Sequence, residues 1–192
     1  MSTAKETKKA IRKKILGKRN ELSKEYYLEA NQIITENVLE LDVYKNAETV
    51  FIFNTMGKEF NTEPLIQDAF ENGKRVAFPR VISIDEGMMV HEYKEGDQLV
   101  ESNYGAMEPS ASADEISAEE LDLVIMPCVT SNNKGERIGY GGGFYDRFLS
   151  NYDGVTVLPI FKELQTLDIP VEEHDQKVDY VVTESSVVHV LK

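Results

Sequence analysis

The stretch Thr49-Val50-Phe51-Ile52-Phe53, followed by Thr62-Glu63-Pro64 and, after Asn72-Gly73, by Arg75-Val76-Ala77-Phe78-Pro79-Arg80, decides the fold class. An unbroken run of β-branched and aromatic residues reads as a strand buried on both faces, because a half-exposed strand would alternate with polar residues. Thr62 is placed to cap a helix, Pro64 is tolerated in the first turn where no amide donor is needed, and Asn72-Gly73 supplies a stop. Residues 75–78 form the next strand, ending at Pro79-Arg80. Strand, helix and strand within roughly thirty residues make a βαβ unit, whose parallel strands join through a right-handed crossover.

The same alternation extends to both sides. Residues 8–22 read as a helix, with Ile11, Ile15, Leu16 and Leu22 forming an apolar stripe at helical spacing. Ser23 suits the N-cap of a second helix through about residue 41, which turns Tyr27, Ile33, Ile34, Val38 and Leu41 toward the core. Downstream, residues 88–93 and 99–100 read as shorter, half-exposed strands around Glu95-Gly96, and 103–114 as a loop of small and polar residues. Residues 121–126 form the most hydrophobic strand, 144–149 the first turns of a helix, and 155–159 a further strand. A polar loop over 169–176 leads to two last strands at 180–183 and 187–191. Strands alternating with helices specify an α/β fold: three layers, α/β/α, with a mostly parallel central sheet and N-terminal helices. There is no internal repeat or low-complexity linker, and 192 residues suffice for one domain with a substantial core.

Net charge is -13 and the isoelectric point is near 4.7, which disfavours nucleic acid and anionic membranes as partners. The charge is uneven. Lys5, Lys8, Lys9, Arg12, Lys13, Lys14, Lys18 and Arg19 crowd the N-terminal region with only Glu6 among them. Such a run is a solvated helix face or a site for a polyanion, and a compact anion such as a nucleotide suits it better than a long duplex. Lys8 and Arg12 lie four apart, so they project from one side of the helix and can grip one anion together. Cys128 is the only cysteine, which excludes an intramolecular disulfide and a cysteine-rich zinc site and agrees with a cytoplasmic location. No apolar run approaches the roughly twenty residues of a membrane span, and no secretory apolar stretch follows the lysine-rich start. His91, His174 and His189 are scattered, without the spacing of a metalloprotease helix.

Chemistry concentrates in Arg137-Ile138-Gly139-Tyr140-Gly141-Gly142-Gly143-Phe144-Tyr145-Asp146-Arg147, where four glycines, two cations and a carboxylate occupy eleven positions. Two readings stand side by side. A glycine cluster makes tight turns; it also lets successive amides point at one spot and lets an anion approach the backbone. A helix beginning at Phe144 would add the partial positive charge of its first turn. Asp146 then sits where a magnesium ion bridging phosphates could be held. The segment lacks the Lys-Ser/Thr of a P-loop and does not open a βαβ unit as a dinucleotide fingerprint does.

The block from Gly135 to Arg147 closely resembles the G-x-R-L-G-Y-G-x-G-Y-Y-D motif of the 5-formyltetrahydrofolate cyclo-ligase family. Supporting elements are Lys8 with Arg12, Glu59-Phe60-Asn61-Thr62, Pro79-Arg80, Glu108-Pro109, His174-Asp175 and Val178-Asp179, so the likeness spans nearly the whole of residues 1–192 as a single domain. It implies an ATP- and Mg²⁺-dependent cyclisation of 5-formyltetrahydrofolate to 5,10-methenyltetrahydrofolate, with ADP and phosphate released through a phosphorylated formyl intermediate. It assigns Lys8, Arg12, Arg137, Ile138, Gly139, Tyr140, Gly141, Gly142, Gly143, Phe144 and Tyr145 to ATP. Asn54, Glu59 and the segment from Tyr140 to Phe144 fall to the folate, and Asp146 with Asp175 to Mg²⁺. A carboxylate at Glu59 suits the paired N–H donors of a pterin edge. The expected protein is a cytoplasmic monomer acting on ATP and a folate, with or without a polyglutamate tail. The likeness breaks at Pro127-Cys128-Val129-Thr130-Ser131-Asn132, where the family has P-G-V-A-F-D, and at Leu164, where the family commonly has glutamine and this chain has Gln165 one place later.

Overall fold

The computed structural model describes residues 3–191. Along the chain run α1 (Ala4–Glu21), α2 (Lys24–Leu39), the one-turn α3 (Asp42–Lys45), β1 (Thr49–Ile52), α4 (Glu63–Glu71), β2 (Arg75–Ser83) and β3 (Gly87–Tyr93). Then come β4 (Val100–Glu101), β5 (Met107–Glu108), β6 (Leu123–Ile125), β7 (Thr130–Ser131), β8 (Arg137–Ile138), α5 (Phe144–Leu149), β9 (Val155–Pro159), β10 (Tyr180–Val182) and β11 (Val187–His189). Single 3₁₀ turns occupy Ala118–Glu120 and Lys162–Leu164. Among the described residues no helix is long and apolar enough to cross a membrane.

Seven strands form one sheet in the order β11-β10-β9-β6-β1-β2-β3. The five inner strands are parallel, and only the edge strands β3 and β11 run antiparallel to their neighbours. Every residue of β1 and β6 is buried, which is why both sequences are apolar apart from Thr49 at the start of β1. The crossover through α4 carries β1 to β2 on one side, whereas the crossover containing α5 carries β6 to β9 on the other. Right-handed crossovers in opposite directions put the two helices on opposite faces. α2 packs on α4 and on β9 and β10. On the other face Phe51 stacks with Tyr145 at 5.8 Å and meets Phe148 edge-on at 5.3 Å. The layers are therefore α/β/α, as the alternation of elements predicts. Chain order reverses between β1 and β6, so the crevice beyond their carboxyl ends is where an open α/β sheet receives a ligand.

Several boundaries differ from the sequence expectation, each for a local reason. α1 begins at Ala4 because Thr3 accepts from the Glu6 amide at 3.2 Å and Glu6 accepts from the Thr3 amide at 2.9 Å, a reciprocal capping box. Thr62 precedes α4 but does not cap it: its hydroxyl donates to the Phe53 carbonyl at 2.8 Å, and Asn61 Oδ1 receives the Glu63 amide at 3.2 Å. β2 continues through Pro79 to Ser83, paired there with β3 alone after β1 drops away at Ala77, so the missing proline donor interrupts at most one ladder. The supposed loop over 103–114 contains β5, which pairs with β4. Between β6 and the glycine segment the chain also makes a small hairpin, β7 against β8.

Candidate active site

The glycine segment leaves β8 and enters α5 across backbone that only glycine adopts easily. Gly141 and Gly143 have φ of 102° and 66°, and a Cβ on Gly142 would lie 2.4 Å from the Phe144 ring. The segment forms one wall of a cleft of about 830 Å³, and α1 forms another. Lys8, Arg12, the whole run from Arg137 to Asp146, Glu172, His174 and Asp175 line it. The structure thus brings together all the residues that the family resemblance assigns to ATP and to metal.

Within the cleft the charged groups hold one another. Lys8 Nζ lies 2.5 Å from Asp175 Oδ2 and 2.8 Å from Glu172 Oε2, its side chain only 11% exposed. Burial works against the ammonium charge, but the hydrogen bonds and charges of Asp175 and Glu172 outweigh it and raise the pKa above the ordinary lysine value. Arg12 Nε donates to the Gly139 carbonyl at 2.7 Å, with its guanidinium beside Gly141. Arg137, 3% exposed at its side chain, donates to Asp146 Oδ1 at 2.7 Å, and the Gln176 amide donates to the same oxygen at 3.2 Å. Among the described residues, Asp146 Oδ2 and Asp175 Oδ1 accept no hydrogen bond, and Asp175 Oδ1 lies 3.8 Å from His174 Nε2. Two carboxylates on one cleft, each with an oxygen to spare, fit the preference of Mg²⁺ for one or two protein oxygens plus phosphate and water.

The two remaining expected residues lie outside that cleft, at the end of β1. Glu59 is buried, with Oε2 accepting from the Met56 amide at 2.8 Å and Oε1 accepting from the Tyr140 hydroxyl. Burial raises its pKa, against the opposing pull of Tyr140, the Met56 amide and Arg19. Asn54 donates through Nδ2 to the Met107 carbonyl at 3.2 Å, tying the end of β1 to the β4–β5 hairpin. Tyr145, stacked on Phe51, has a buried hydroxyl without a hydrogen-bond partner among the described residues. Cys128 is packing: burial pushes its thiol up to about 12, leaving no reactive thiolate near neutral pH.

One residue escaped the sequence reading. Arg19, 6% exposed, donates from Nη1 to the Tyr140 hydroxyl at 2.6 Å and from Nη2 to the Cys128 carbonyl at 2.6 Å, and Nη1 lies 3.9 Å from Glu59 Oε1. Lys8, Arg12, Ile15 and Arg19 follow at steps of four, three and four and so share one helix face, but that spacing does not tell which of the basic residues turns inward. The departures from the family pattern also find places. Asn132 closes the β7–β8 turn by accepting the Lys134 and Glu136 amides at 3.0 and 3.2 Å. Leu164 is buried core, while Gln165 bonds to Asn133 and Lys162 outside the cleft.

Comparison with known proteins gives a consistent result. The sequence model of the 5-formyltetrahydrofolate cyclo-ligase family matches residues 4–184. The 5-formyltetrahydrofolate cyclo-ligase of Mus musculus is 28% identical over 196 residues, covering 96% of this chain and 97% of its own. That of Escherichia coli strain K12 is 31% identical over 175 residues, covering 88% and 96%. The NMR structure of Aquifex aeolicus 5,10-methenyltetrahydrofolate synthetase superposes with a TM-score of 0.85 at 26% identity, covering 96% of this chain and 93% of that one.

Proposed function

Because the chain belongs to the 5-formyltetrahydrofolate cyclo-ligase family, we propose that it converts 5-formyltetrahydrofolate to 5,10-methenyltetrahydrofolate at the expense of Mg-ATP, releasing ADP and phosphate. The observation that carries this reading is the position of Tyr140: it lines the nucleotide-sized cleft, and its hydroxyl reaches the buried carboxylate of Glu59. On this reading a site for phosphates and a site for a pterin edge would meet across one residue, as transfer of a phosphoryl group between the two ligands requires.

The chemistry explains the need for ATP. A formamide oxygen is a poor leaving group; once phosphorylated it departs as phosphate when the neighbouring folate nitrogen closes the ring. In such transfers the protein mainly positions the reactants and neutralises charge. Arg12, Arg137 and the amides of residues 139–143 would receive the triphosphate, with Lys8 supporting Asp175. Asp146 and Asp175 would hold Mg²⁺, which when bound neutralises phosphate charge. Glu59 would accept from the pterin N–H groups through its remaining lone pairs, and Asn54 would border the same ligand. The protein would act as a cytoplasmic monomer on a folate with or without further glutamates.

In a test with purified protein, one ATP should be consumed for each methenyl chromophore formed from 5-formyltetrahydrofolate. Chromophore appearing at the same rate without ATP would overturn the reading.

A further inference from the structure

Arg19 is out of place by ordinary packing rules. It lies on the buried stripe of α1 with Ile15, close to Leu22 just past the helix end, almost fully removed from water, and its Nε has no hydrogen-bond partner among the described residues. Guanidinium groups are rarely buried unless paired, and a buried ion pair is a poor way to gain stability compared with apolar residues of the same volume. A leucine there would extend the stripe. The contacts show instead a planar fork used as a gauge between three segments: Nη2 meets the Cys128 carbonyl just beyond β6, while Nη1 meets the Tyr140 hydroxyl and lies near Glu59 beyond β1. Lysine could supply the charge but not this planar, two-sided geometry.

We propose that Arg19 is a positioning residue for the folate half of the reaction, holding the Glu59 carboxylate charged and oriented and fixing Tyr140 between the two ligand sites. The inference rests on the reading of Glu59 as the acceptor for the pterin edge.

Electrostatics make it testable. The groups that face Glu59 are Arg19 from α1, Tyr140 from the glycine segment, and Tyr27 from α2, whose hydroxyl donates to the Glu59 carbonyl at 3.0 Å. Behind them lie Tyr145 of α5, itself under the influence of Arg137, and Cys128. Burial raises the pKa of both, and the charge of Glu59 raises it further. Of all these, Arg19 alone brings a full positive charge close to the carboxylate. Burial already raises the Glu59 pKa, so removing that charge raises it further and the carboxylate is neutralised at higher pH.

The experiment measures kcat and KM for each substrate against pH in wild type and in Arg19→Gln, Arg19→Lys and Glu59→Gln. For Arg19→Gln the folate KM should rise roughly tenfold or more with the ATP KM within about twofold, and the acid limb of kcat/KM for folate should move up by about one pH unit. Arg19→Lys should keep the wild-type acid limb yet still raise the folate KM severalfold, because charge returns without the fork. A merely structural arginine would lower stability and active fraction without moving the limb or separating the two KM values. A folded Arg19→Gln with an unshifted limb, or equal losses for both substrates, overturns the proposal. Should Arg19→Gln fail to fold, an unchanged folate KM in Arg19→Lys overturns it. Glu59→Gln separates the two layers: an unaltered folate KM there removes the folate reading and the inference with it, whereas a raised KM there beside a wild-type Arg19→Gln removes the inference alone.

Discussion

On the reading proposed above, Asp146 would have two tasks that use different oxygens. Oδ1 neutralises Arg137, whose side chain is nearly sealed from water, while Oδ2 would be left for a cation. Asparagine keeps an acceptor for Arg137 but removes the charge that both tasks use. Asp146→Asn should therefore cut turnover steeply and also lower stability, by about 1.5–3 kcal/mol, the usual range for a hydrogen bond to a charged group. In a chain of this size each kcal/mol moves the midpoint by roughly 2–4 °C. Thermal unfolding and single-turnover rates measured side by side test both halves. Unchanged turnover at limiting Mg²⁺ would take Asp146 out of the metal shell, and an unchanged Tm would mean that Arg137 does not depend on it.

At the scale of elements, α1 is the strut on which the site is built. Its face carries Lys8 to Asp175, Arg12 to Gly139 and Arg19 to Tyr140, contacts spread over about 16 Å of helix at 1.5 Å per residue. Changing Arg12 to alanine should weaken ATP binding roughly ten- to a hundredfold, the equivalent of about 1.5–3 kcal/mol, and folate binding much less. Equal losses in the two titrations would return Arg12 to a purely structural role.

Lys8 differs because its partners are the chain's own carboxylates. A lysine whose pKa is raised on folding contributes stability that is complete below its ordinary value of 10.5 and is lost as pH rises through the folded value. The stability gap between wild type and Lys8→Met should accordingly stay level through neutral pH and close only above about pH 10.5 in denaturant titrations. A gap that closes between pH 7 and 9 would contradict the pairing.

These elements also show which parts of the structure a sequence can reveal. The bounds of α5 and β9 coincide with the expectation because α5 follows a glycine run and β9 is a β-branched, mostly apolar run that starts after Asp153-Gly154 and ends at Pro159. The β7–β8 hairpin left no comparable trace: two residues on each side give no periodicity, and Thr130 owes its burial to accepting partners far away, donating to the Leu164 carbonyl at 2.6 Å. The glycine segment and the Lys8–Arg12 pair stood out by type and spacing. Arg19 did not, because a run of eight basic residues on one helix reads as solvated, and only tertiary structure shows which of them turns inward.

Across the whole molecule, the first helix and the last loops are one mechanical unit. Lys8 with Asp175, Asn37 with the Thr183 carbonyl at 3.0 Å and Tyr26 with Glu184 at 2.6 Å fasten α1 and α2 to the C-terminal third of the chain. Unfolding should be a single cooperative transition, with equal calorimetric and van't Hoff enthalpies and with the α1 amides exchanging hydrogen alongside those of β1 and β6. An early, separate melting of α1 would divide the chain into two units.

That fastening has a consequence for the order of events at the ribosome. α1 emerges long before Asp175, 167 positions downstream, and at ordinary rates of synthesis it waits on the order of ten to thirty seconds for that partner. For most of the wait its basic face has neither the carboxylates of the 172–175 loop nor the carbonyls beyond β6 to settle on, the latter arriving first. β1, α4 and β2 can meanwhile close their local unit, since they depend on neighbours in sequence. The nascent protein thus gains its scaffold early and the cleft between α1 and the glycine segment last, when Glu172 and Asp175 arrive and draw Lys8 down.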